Sequence, residues 1–146
     1  MKASKQKVLF LVALIAGVAF FASSGAAGEA SGDLSGKDED AFILYKYSLM
    51  DAKKNRSSKI TESTKGNQTT YNYDEHALSC KTVMTGSITK TALEDRTHVV
   101  GEFAVSNNSY GITQLSFDFY DDGKRSRTGS MTVDDKVLDM GNFDHR

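Results

Sequence analysis

The chain has 146 residues, with 18 Lys and Arg against 19 Asp and Glu, 12 Gly, one Cys and no Pro or Trp. That length suits one globular domain, and the lack of proline excludes proline-rich linkers, PxxP ligand segments and any cis-proline device. A single cysteine excludes an internal disulfide framework and a cysteine-pair zinc site.

Lys2, Lys5 and Lys7 precede an uncharged apolar run from Val8 to Ala22, and Ser23, Ser24, Gly25, Ala26 and Ala27 follow. A basic start, about fifteen apolar residues and a small-residue exit are the pattern of a secretory signal peptide. The run is shorter than the roughly twenty residues of a comfortable span, so export is expected, to the periplasm or the extracellular medium. An uncleaved anchor is the alternative. Residues 1–27 are thus read as signal, 28–40 as a flexible Gly, Ala, Ser and acid leader, and 41–146 as one β domain. Removing residues 1–27 takes away three Lys and no acid, leaving 15 basic against 19 acidic residues and a net charge of −4. A mildly acidic domain lacks the positive field that nucleic-acid binding needs.

Short runs rich in Tyr, Phe, Val, Ile and Thr recur after residue 41, separated by turn-forming clusters. Phe42–Met50 comes first. Its alternation of Ile43, Tyr45, Tyr47 and Leu49 predicts a strand. The acids at 38–40, Lys53-Lys54 behind them and the spacing of Phe42, Tyr45, Leu49 and Ala52 suit the alternative, a helix over about residues 39–54 packed on an antiparallel sheet. Strands are expected near Ser58–Thr64, Thr69–Tyr73, Ala77–Met84, Ser87–Ala92, Thr97–Val105, Gly111–Tyr120, Arg125–Val133 and Lys136–Met140. Asp122-Gly123 predicts a two-residue hairpin turn. The sum is an all-β antiparallel meander of eight or nine short strands, closed as a sandwich or small barrel. The aromatic pairs Tyr45/Tyr47, Tyr71/Tyr73 and Phe117/Phe119 are expected to fill its core. Cys80, in phase with Leu78 and Met84, is expected to be buried and inert.

Chemistry-bearing motifs are sparse. His76, His98 and His145 fit no metal-ligand spacing, and the acids at 118–122 fail the EF-hand pattern. No catalytic residue, metal or cofactor is assigned. Asn55, Asn67 and Asn107 have the form of glycosylation acceptors. Two basic turns stand out: Lys53, Lys54 and Arg56 in the first, and Lys124, Arg125 and Arg127 in the seventh. In a meander, odd-numbered turns share one end, and closing eight strands would merge these charges into a rim for phosphate or carboxylate groups. The same charges also serve simply to keep turns soluble. The expected function is a non-enzymatic binding or envelope-interaction module with an unknown protein or envelope partner, and weak contact with anionic membrane. The alternatives are a carrier for a small apolar ligand and a thiol- or His-dependent enzyme.

Overall fold

The computed structural model describes residues 34–54 and 57–144. The signal segment 1–27, residues 28–33, Asn55, Arg56 and His145 lie outside the described residues. The first element, α1, is a helix over Gly36–Lys53, so the alternative anticipated over residues 39–54 replaces the strand at Phe42–Met50. It begins inside the stretch expected as leader. The physical reason is local. Ser35 accepts the Asp38 amide while the Asp38 carboxylate accepts the Ser35 amide, a reciprocal box that satisfies two otherwise unpaired donors. Asp38 and Glu39 lie in the first turn and Lys53 in the last, in favour of the helix dipole. The buried stripe is Ala41, Leu44, Tyr45, Ser48 and Ala52, at helical spacing, whereas Ile43 and Tyr47 face solvent. Apolar residues on both sides of the helix produce the false alternation.

Seven strands follow as an antiparallel meander: β1 (Ile60–Lys65), β2 (Gln68–Ala77), β3 (Val83–Ala92), β4 (Thr97–Ser106), β5 (Gln114–Asp121), β6 (Arg127–Val133) and β7 (Lys136–Asp139). Spatial order equals chain order, and β1 and β7 are the two edges, so the sheet is open and no barrel closes. A short 3-10 turn over Met140–Phe143 ends the fold. Residues 78–82 turn the chain between β2 and β3, so the strand expected at Ala77–Met84 is split. The expected break at Thr85-Gly86 is instead continuous β3. Gly86 is there because a Cβ would stand 1.9 Å from the Glu102 carbonyl oxygen of the paired strand. The Asp122-Gly123 hairpin spans five residues rather than two. The Asp122 carboxylate accepts the Lys124 and Ser126 amides, which makes the loop self-supporting.

Cross-strand register puts one apolar residue per strand in line. Tyr71, Ile88, Gly101, Phe117, Met131 and Leu138 are successive partners across β2 to β7. Gly101 is the socket of this row. A Cβ there would stand 2.4 Å from the Phe117 ring, and onto that ring Tyr45 docks edge-on with centroids 4.9 Å apart. Phe42 stacks on Phe143 at 4.5 Å, and Tyr73 meets Phe103 at 5.0 Å. The aromatic core is therefore made between α1 and one face of the sheet. Tyr45, Tyr71, Tyr73, Phe117 and Phe119 are all buried; Tyr47 is the exception. The opposite face carries Thr61, Ser63, Thr70, Asn72, Ser87, Thr89, Ser116, Ser130 and Thr132. Such side chains suit a pleated surface left to water.

Candidate functional site

Three hairpins, β1–β2, β3–β4 and β5–β6, share one end of the sheet. The strand ends entering them bring charge onto the helix-facing side. Lys90 lies two residues from the end of β3, opposite Thr69 and Val99, in phase with Ile88. It is partly buried and makes no ion pair among the described residues. Burial pushes its ammonium below the ordinary lysine value. Repulsion from Lys53 on the last turn of α1 adds to that, and Asp121 opposes it.

Asp121 ends β5 and faces Arg127 at the start of β6, with Nε to Oδ2 at 3.6 Å. Its other oxygen accepts the Gly123 amide. Arg127 is committed to the fold: Nη1 donates to the Phe143 carbonyl, its amide donates to Asp144, and its guanidinium lies over the Phe42 ring. Its buried Nε has no hydrogen-bond partner within range. Tyr45 reaches the same place from α1. Burial pushes its phenol well above the ordinary value, Asp121 adding and Arg127 opposing. Tyr71 is raised by burial and by Glu62. Asp121 and Arg127 offset each other, which leaves Lys90 and Lys53 as like charges without an acid in ion-pair contact. Lys90 is thus a partly buried cation on the helix-facing side of the sheet with no ion pair among the described residues.

The six basic residues singled out from the sequence divide accordingly. Arg127 meets Asp121 at the start of β6, and Lys53 is exposed on the last turn of α1, its charge acting on Lys90. Lys54 is exposed at the helix C-cap, Lys124 and Arg125 stand on the β5–β6 tip, and Arg56 lies outside the described residues. They do not merge through barrel closure, because β1 and β7 remain apart; the helix end carries Lys53 across instead. Lys90 and Asp121 were not among the expected site residues. The period-2 run Ile88-Thr89-Lys90-Thr91-Ala92 places Lys90 on the face of Ile88, which is the signal that finds it.

Other polar groups serve elsewhere. His76 is buried, with Nε2 2.8 Å from Asp51 and Nδ1 3.1 Å from Ser57, tying β2 to the end of α1. His98 lies on the uncovered face, 2.6 Å from Asp118 and stacked on Tyr120, whose ring also lies under the Arg96 guanidinium. Cys80 is exposed, contrary to the expectation of a buried thiol, because residues 78–82 form a turn and not a strand. It lines a cavity of about 430 Å³ with Asp40, Lys81 and Asn107, at the end of the sheet opposite His98. The side-chain amide of Asn67 donates to Ala92 and that of Asn107 to Lys81, each bridging two turns. Among the described residues no three His, Cys, Asp or Glu converge as metal ligands, and no helix is long and apolar enough to cross a membrane.

Comparison with family models, with curated proteins and with solved structures finds no match to this chain.

Proposed function

We propose that this chain is an exported, non-enzymatic binding domain that holds a phosphate or carboxylate group of an envelope partner between Lys90 and Lys53. Support for export is the basic, apolar and small-residue order of residues 1–27. The observation that carries the site is the placement of Lys90: a partly buried ammonium on the helix-facing side of β3, between Thr69 and Val99, that makes no ion pair among the described residues. Desolvating a cation costs free energy unless a counter-charge is supplied, and a bound anion supplies it. The aromatic side chains of α1 fill the sheet face that a barrel-type carrier keeps for its ligand.

Inorganic phosphate is the probe, read by amide chemical shifts. Lys90→Met keeps the aliphatic stem and removes the charge, so affinity is expected to fall about tenfold or more. Lys65→Met, on the uncovered face of the edge strand, is expected to change nothing. Shifts that fail to cluster around Lys90 and Lys53, or equal affinity in the Lys90→Met protein, overturn the reading. The mass of the mature protein tests removal of residues 1–27.

A further inference from the structure

The core contacts of α1 leave a second apolar stripe with nothing on it. Ile43, Tyr47 and Met50 are 43%, 42% and 43% exposed, large apolar side chains held open at i, i+4 and i+7 on one side of the helix. The inner stripe of α1 packs on the sheet, and the outer one lies outside that core. Lys54 continues the line of the stripe beyond Met50, and Lys46 and Lys53 border it, all exposed. Acids near this half of the helix are accounted for. Asp51 pairs with His76, Asp38 is held by Lys136, and Glu39 and Asp40 stand one turn before Ile43, so carboxylates mark the N-terminal edge of the stripe and lysines its C-terminal half. The C-terminal half of the outer face is therefore apolar along its centre and basic at its margin.

We infer that the outer face of α1 docks on an anionic lipid surface, with Ile43, Tyr47 and Met50 entering the headgroup boundary and Lys46 and Lys54 meeting the phosphates. An interfacial helix needs this combination: apolar groups on one line, a Tyr whose hydroxyl stays wet, and lysines long enough to reach outward. Lysines near an anionic leaflet favour binding, so Lys46 and Lys54 add to partial burial of the stripe to give reversible attachment. The sequence upstream points to the same occupant. The apolar run ends at Ala22, and only Ser23 to Leu34 separate it from the Ser35 cap. Twelve extended residues span at most about 40 Å, so an apolar segment retained in a bilayer keeps α1 within reach of that bilayer's surface. The surface differs from the Lys90 site in its apolar residues, so either proposal stands if the other fails.

The test uses the full chain carrying Cys80→Ser and a polarity-sensitive fluorophore on Met50→Cys, reconstituted with vesicles. Phosphatidylglycerol vesicles are expected to shift the emission to the blue, while phosphatidylcholine vesicles leave it unchanged. The shift is expected to be lost when Lys46 and Lys54 are replaced by Ser, and to survive Lys90→Met. No shift with either lipid overturns the proposal. An equal shift with both removes the electrostatic basis and overturns it as stated. A shift that grows with protein concentration in the absence of lipid assigns the stripe to a second copy of the chain and also overturns it. A circular dichroism spectrum shared by all variants establishes that they fold.

Discussion

Asp134 does the work of a clasp at the end of the sheet where α1 begins. Its Oδ1 accepts the amides of Thr113 and Gln114 and the Thr113 hydroxyl, and its other oxygen meets Lys37 at 2.6 Å. Burial works against the charged form, but the bonds from Lys37, Thr113 and Gln114 outweigh it and hold the carboxyl far below the usual range. Asp38 behaves alike: burial opposes ionisation, and Lys136 with the Ser35 amide and hydroxyl outweighs it. Because both folded values lie below the unfolded one of about 3.9, their stabilisation is complete above that pH and is lost as pH falls through the folded values. Urea melts are therefore expected to show falling stability below about pH 4. Asp134→Ala is expected to cost about 2 kcal/mol at neutral pH, with the gap from the wild type narrowing in acid. A gap that stays constant with pH counts against the clasp.

At the scale of elements, the strands are legible and the helix is legible only as the alternative to a strand at Phe42–Met50. Thr97–Ser106 and Lys136–Asp139 fall within a residue of their expected bounds, because Val99, Phe103 and Val105 alternate with polar neighbours over one buried face. The helix carries a local sign that alternation conceals. Ser35-Gly36-Lys37-Asp38 reads as a capping box ahead of an apolar run, and the outer stripe through Ile43 and Tyr47 imitates a strand. The exposed thiol was missed for a related reason. Leu78 and Met84 share the inner face, but the turn between them breaks the phase that Cys80 was assumed to keep. In the site, Lys90 follows from period 2 alone, whereas its neighbour Lys53 depends on a helix end crossing the sheet, which no local pattern encodes. Strand pairing sets a further limit. At Gly86 the carbonyl of Glu102 occupies the space of a Cβ, while at Gly66, in the β1–β2 turn with φ +61°, nothing stands within 4 Å. Gly66→Ala is then expected to cost about 1 kcal/mol from backbone conformation alone, and Gly86→Ala about 2–3 kcal/mol because backbone must move. Equal midpoints in denaturant melts of the two variants contradict this ordering.

For the whole molecule, the sheet is assembled from neighbours in sequence and the core is not. Each strand pairs with the one before it, so hairpins form locally. The helix, first of the described elements, is fixed by the last ones: Asp38 to Lys136 across 98 positions, and the Phe42 ring stacked on Phe143. Phe143→Ala removes that ring and opens space beneath Arg127, so a loss of about 3–5 kcal/mol is expected in equilibrium unfolding, in a single cooperative transition. Separate melting of helix and sheet contradicts the shared core.

The stacking of the first aromatic ring of the described domain on its last one has a consequence for how the helix is held. The N-terminal turns of the helix find their partners on β7 and the closing 3-10 turn, whereas Tyr45 and Asp51 find theirs on β5 and β2, so one rod bridges both ends of the meander.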